Sequence, residues 1–256
     1  MTTGTTRAVA LDGPSGSGKS TVARGVARAL AWRYVDTGAT YRAVTLAVLR
    51  AGVDPADADA VLQVAQSSEV GVSTDPDAPA VLLDGDDVSA EIRGAEVTAA
   101  VSAVSAVAGV RSRLVELQRE LAGSDGAVVE GRDIAGVVLP QAAVKVYLDA
   151  SPEERARRRA GDTHVGVTAA GRSEPDGEAG PDLGSGTPDA DPTALHQAVA
   201  GDLARRDALD SGRQVSPLAV AADAVVLDSS AMDADAVVEH VLELVRQAGL
   251  MPAGRT

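Results

Sequence analysis

The stretch GPSGSGKST, residues 13–21, lies between the aliphatic run RAVALD at 7–12 and the helix-periodic segment STVARGVARALAWR that begins at Ser20. It fits the pattern GxxxxGK[ST], with Gly13, Gly18, Lys19 and Ser20 at the fixed positions, in the strand–loop–helix setting that the pattern requires. Pro14, Ser15, Gly16 and Ser17 fill the loop, and Thr21 follows it. Glycines let such a loop curl until several amide hydrogens converge, and the start of the next helix adds partial positive charge, so the segment makes an anion cradle. Lys19, one of only two lysines in the chain, brings a full charge to the outer phosphates. The Ser20 hydroxyl is placed to bind Mg²⁺. The pattern alone turns up by chance in on the order of one chain in a hundred. In this setting it reads as a phosphate site.

Outward from the loop, three more aliphatic runs read as buried strands: GAVVE at 126–130, AVKVYLD at 143–149 and AVVLD at 224–228. Helical spacing joins them. Val22, Val26, Ala29 and Leu30 share a face after the loop, and YRAVTLAVLRAGV at 41–53 stops at Gly52 with Pro55 beyond. Residues 96–121 read as one helix with Leu114, Leu117 and Leu121 on a stripe, and ADAVVEHVLELVRQAGL closes the chain before a frayed tail. Strands alternating with helices predict an α/β fold, a parallel sheet flanked by helices, in a single domain over 1–256. RYVDTGATYR at 33–42 is neither a strand nor a turn pattern alone. Turn signals TDPDAP and DGDD divide residues 68–93 into a small β-hairpin insert. Residues 160–194, rich in Gly, Pro, Asp, Ser and Thr, lack the apolar side chains that offset ordering entropy, so disorder is expected there.

Composition narrows the function. A net charge of −14 and a pI near 4.6 argue against a general duplex-binding surface, which needs a positive field, so any anion site is local and no polymeric nucleic acid is expected. There is no cysteine, and His164, His196 and His240 are too scattered for a metal site. The N-terminus lacks a signal-peptide pattern and no segment approaches the roughly 20 apolar residues of a membrane span. A cytoplasmic monomer without a membrane partner is expected.

A phosphate cradle does not by itself name a reaction, since ATPases, GTPases and kinases share it. The arginines narrow it. Arg132 and Asp133 follow the run GAVVE, at the edge where parallel sheets bind ligands. Arg206, Asp210 and Arg213 fall at i, i+4 and i+7, one helical face, and Arg155, Arg157, Arg158 and Arg159 cluster in ERARRR. Beside a phosphate loop these read as phosphate clamps.

DGPSGSGKST, DTGATYR, EGRD and RRDALDSGR, in this order, resemble the bacterial cytidylate kinases, as do LLDGDDVSAEIR, VRSRLVELQRE, VKVYLDASPEERARRR and AADAVVLDSS. The resemblance runs over about 7–159 and 200–248. It implies a P-loop kinase core, a monophosphate-binding insert over 63–95 and a mobile lid over 152–204, where relatives carry an amphipathic segment in place of the low-complexity 160–194. It implies Thr37, Arg42, Arg132 and Arg213 on the phosphate of CMP, Arg206 and Asp210 on its sugar, and Ser102, Arg111 and Asp133 on cytosine. Thr37 stands where many relatives have serine. On the donor side it implies ATP with Mg²⁺, contacted by the loop residues 13–21 and by Arg155, with Lys19, Arg132, Arg158 and Arg159 catalytic. The implied reaction is phosphoryl transfer from ATP to CMP or dCMP. The competing readings are a UMP-type or shikimate-type kinase, with another acceptor on the same fold, and a regulatory ATPase, which would leave Arg42, Arg132 and Arg213 unexplained.

Overall fold

Each aliphatic run becomes a strand of one sheet. The structure, a computed structural model, describes residues 6–159, 192–213 and 218–251. Along the chain β1 (Thr6–Asp12) leads into α1 (Lys19–Leu30), β2 (Arg33–Asp36), α2 (Thr37–Arg50) and α3 (Ala58–Ser67). Three short strands follow, β3 (Val70–Val72), β4 (Val81–Leu83) and β5 (Asp86–Asp87), then α4 (Ala95–Ala106) and α5 (Ala108–Ala122). The second half holds β6 (Ala127–Gly131), a π-helical turn (Ile134–Val138), β7 (Ala142–Asp149), α6 over 152–159, α7 (Pro192–Ser211), β8 (Val225–Asp228) and α8 (Ala234–Gln247). The main sheet has the order β2-β6-β1-β7-β8, and every pair in it is parallel.

The period-two alternation of a strand assigns the two faces of the sheet. Val9 and Leu11 of β1 pack with Val146 and Leu148 against Val22, Val26 and Leu30 of α1 and Val237, Val241 and Val245 of α8. Ala8 and Ala10 turn the other way, toward Val115 and Ala122 of α5 and Ile134 and Val138 of the π turn. The small alanines let that layer come close, which matters in a chain with no phenylalanine. A third cluster joins Val44 and Val48 of α2 to Val70, Val81, Leu83, Ile92, Val104 and Leu114, so α2 is shared between the sheet and the insert.

Three expectations change. RYVD forms a four-residue edge strand, because backbone pairing with β6, from Arg33 beside Ala127 to Asp36 beside Glu130, decides what its mixed composition leaves open. Residues 68–93 carry three antiparallel strands rather than a hairpin. The expected single helix at 96–121 is broken at Val107, whose ψ of 117° is extended. No proline stands there. Just past the break α5 packs close on α3, where a Cβ on Gly109 would sit 2.7 Å from Leu62. Of the low-complexity stretch 160–194, residues up to 191 lie outside the described residues, as does the tail from 252, and 192–194 open α7.

Candidate active site

The carboxyl ends of β1, β2, β6 and β7 meet at one edge of the sheet, where open parallel sheets bind ligands. The loop 13–18 fills that edge. Gly13 has φ +151°, and a Cβ on it would lie 2.1 Å from the Leu148 carbonyl oxygen; Gly16 has φ +79°, with the Arg155 carbonyl 2.9 Å from a Cβ. No other residue type fits either position without moving backbone. Gly18, also left-handed, caps α1 and aims its first amides into the loop.

Lys19 is buried, and its ammonium folds onto the loop, donating to Pro14 O at 2.6 Å and more weakly to Ser17 Oγ at 3.4 Å. Burial and then the neighbouring Arg132 pull its pKa below the ordinary lysine range, against the opposing pull of Glu130, Asp12 and Asp207. Ser20 Oγ donates to Glu130 Oε2 at 3.0 Å, and Tyr34 OH donates to Oε1 at 2.5 Å. Burial first, then Asp36, push the Glu130 carboxyl up. Asp12 accepts from the amides of Ile134 and Ala135, both at 2.8 Å, and burial raises it to about 6. The Ser20 hydroxyl and the Glu130 carboxyl, bonded side by side at the loop, are oxygen donors of the kind a hard divalent cation takes.

Two faces of cationic groups converge on this loop. From α6, Arg155 Nη1 donates to Ser15 O at 3.1 Å, and Arg158 Nη1 donates to Ser17 O at 3.0 Å while its Nη2 reaches Ser229 O at 2.7 Å. On the other side Arg132 bridges the loop and α7: Nη2 donates to Ser15 Oγ at 2.7 Å and Nε to Asp210 Oδ2 at 3.0 Å. Arg213 donates to the other oxygen of the same carboxylate. Arg42 is fixed by Ile92 O at 2.9 Å and Thr98 Oγ1 at 3.0 Å, and burial followed by Arg206, Arg159 and Arg93 lowers its pKa to about 10. Crowding of guanidinium groups from α2, α6 and α7 raises free energy unless an anion joins them. Arg206 keeps a buried Nε with no partner.

Beyond the arginines lies a buried polar cluster. Asp133 pairs with Arg111, both buried, and Arg111 stacks over the Tyr41 ring at 5.5 Å. Ser102 lies one turn before the end of α4, its carbonyl accepting from Ser105 Oγ at 3.1 Å. Several of the residues named from sequence are joined by contacts, Ser15 through Arg132 and Asp210 to Arg213 and, separately, Asp133 to Arg111, while the Thr37 hydroxyl donates to Glu130 O at 2.6 Å and ties β2–α2 to β6. Thr21 is exposed on the first turn of α1.

Four participants escaped the sequence reading. Glu130 was quoted within EGRD but given no role, Tyr34 sits in the unassigned strand, and Arg93 adds charge beside Arg42. Asp207 is the fourth. Its Oδ1 accepts from Ser15 N at 3.2 Å and its other oxygen takes Arg155, so a carboxylate rests on the rim of the anion cradle. Two signals pointed to them: Glu130 closes a strand ahead of the loop arginine, and Asp207 stands three residues before Asp210, on the same helical face.

Comparison with known proteins bears on this geometry. A family model described as cytidylate kinase matches residues 9–172 and 189–247. A cytidylate kinase of Mycolicibacterium paratuberculosis is 54% identical over 240 residues, covering 93% of this chain and 95% of the relative. Another, of Corynebacterium efficiens, is 48% identical over 237 residues, with 92% and 93% covered. A third, of Streptomyces avermitilis, is 46% identical over 241 residues, with 93% and 92% covered. Among the described residues no helix is long and apolar enough to cross a membrane.

Proposed function

This chain belongs to the cytidylate kinase family, and we propose that it works as a kinase of CMP and dCMP, moving the terminal phosphoryl group of ATP onto the acceptor's phosphate. One contact carries the reading: Arg132 bonds both to Ser15 of the phosphate loop and to Asp210, which holds Arg213 in turn. The donor cradle and a second anion site therefore share a guanidinium. A plain ATPase has no use for the second one.

In the reaction a phosphate oxygen of CMP attacks the terminal phosphorus of ATP, and the bond from that phosphorus to the bridging oxygen breaks to leave ADP. The nucleophile is already an anion at neutral pH, so no strong general base is needed. Alignment and charge neutralisation do the work. Lys19 leaves its loop carbonyl for the donor's outer phosphates, and the loop amides take the rest. Arg155, Arg158 and Arg159 of the lid add charge over the donor. Arg42, Arg132 and Arg213 take the acceptor phosphate, with Thr37 beside them, and offset its repulsion from ATP. Arg206 and Asp210 take the sugar.

Asp133, with Arg111 and Ser102, reads the base. A carboxylate accepts from the exocyclic amine of cytosine, where uracil presents an acceptor instead. Ser20 and Glu130 are the residues that would hold Mg²⁺, since a cation there would favour the charged Glu130 that burial and Asp36 oppose. Bound there, Mg²⁺ supplies charge neutralisation across the donor's phosphates. Both halves of the cleft come from one chain, so the reading extends to a monomer. ADP release with ATP alone and with ATP plus CMP tests it: release is expected to depend on CMP, and equal release without it would overturn the proposal.

A further inference from the structure

The break ends the hydrogen-bond ladder of α4 at Ser105 and Ala106, the Val107 amide closing back on Val104 O at 3.2 Å. Ser105 stands at that end, 4% exposed, and three polar contacts meet on it. Its carbonyl oxygen accepts from Arg111 Nη1 at 3.3 Å. Its hydroxyl lies 2.9 Å from Arg213 Nη2 and 3.1 Å from Ser102 O. A guanidinium only donates, so the hydroxyl accepts from Arg213 and must turn its own hydrogen to Ser102 O. The direction of both bonds is thereby fixed.

Arg213 is in turn held at Nη2 by two acceptors, Ser105 and Asp210, while its buried Nε has no partner. Both bonds tether one end of its guanidinium. We infer that Ser105 is a positioning residue for the acceptor nucleotide, fixing Arg213 through its hydroxyl and Arg111 through its carbonyl. The phosphate end and the base end of CMP are thereby registered against one buried residue. Nothing in the serine touches the reacting atoms. The inference rests on the reading of Arg213 and Arg111 as acceptor contacts.

The test is steady-state kinetics on Ser105→Ala, Ser105→Thr, Arg213→Ala and the double variant S105A/R213A, with KM for CMP and for ATP measured separately. Alanine suits a helix, so S105A should fold. Losing one hydrogen bond to a charged group predicts a rise in KM for CMP of about tenfold. KM for ATP should stay within about twofold, and S105T, which keeps the hydroxyl, should recover most of the loss. In the double variant the serine change should add nothing to the arginine change. Equal rises for CMP and ATP, failure of S105T to differ from S105A, or additive losses would each overturn the inference. If R213A itself left KM for CMP unchanged, the acceptor reading would fall instead.

Discussion

Replacing Asp133 with asparagine separates the structural from the recognitive work of the buried Arg111–Asp133 pair. Arg111 is 3% exposed and Asp133 9%, so neither charge can turn to water when its partner is lost. In the variant Arg111 would keep Ser105 O and the Tyr41 face, but its Nε already lacks a partner. Breaking a buried pair costs roughly 3–5 kcal/mol. Asparagine still offers one acceptor, which favours the lower end, and each kcal/mol lowers Tm by about 2–4 °C in a chain of this size. A fall of at least about 6 °C is expected by scanning calorimetry. The second readout is substrate choice. A carboxylate can only accept, whereas an amide can turn its NH₂ toward O4 of uracil, so the ratio of kcat/KM for CMP over UMP should fall about tenfold or more. A shifted Tm with an unchanged ratio would make Asp133 a purely structural partner. No change in either would refute the reasoning about the pair altogether.

Three further outcomes follow from the cleft. The Lys19 pKa is lowered in the free protein and a polyphosphate should raise it again, so ATP binding between the two values takes up a proton. Calorimetric enthalpies near neutral pH should then vary with the ionisation enthalpy of the buffer, and a Lys19→Met variant should lose that dependence. Asp207→Asn removes a carboxylate that competes for Ser15 N and Arg155, so tripolyphosphate should bind about fivefold more tightly, and weaker binding would show that the acid helps the site. The bond from Tyr34 lowers the Glu130 pKa, so Tyr34→Phe should move the acid limb of the kcat profile to higher pH and cost about 1–3 kcal/mol in urea denaturation. An unmoved limb would remove Glu130 from the reaction.

The parts legible in sequence were those with short-range grammar. The loop at 13–18 announces its own strand and helix, and the aliphatic runs at β6, β7 and β8 could be read as strands, although only β6 is buried on both faces: β7 alternates, and β8, at the sheet edge, leaves Val225 and Val226 exposed. Arg132 could be named because a parallel strand delivers its end to the ligand edge, Arg206 and Arg213 because their spacing puts them on one helical face, and Arg42 only through the family resemblance. What stayed hidden depended on contacts between distant segments. Nothing local makes RYVD a strand until β6 lies beside it, and nothing in AVSAVSAVAGVR announces the break at Val107. Asp207 resembled any solvated helical acid until Ser15, 192 residues away, was found donating to it. Ser105 looked like one more small residue in an alanine-rich helix.

The central claim is that one cleft reads cytosine while its arginines hold the acceptor's phosphate against ATP. Its most direct measurement is kcat/KM for CMP, dCMP, UMP and AMP at saturating ATP on the intact chain. CMP and dCMP should exceed UMP and AMP by at least about tenfold, the least that one base contact provides. Turnover of UMP or AMP equal to that of CMP would contradict the account.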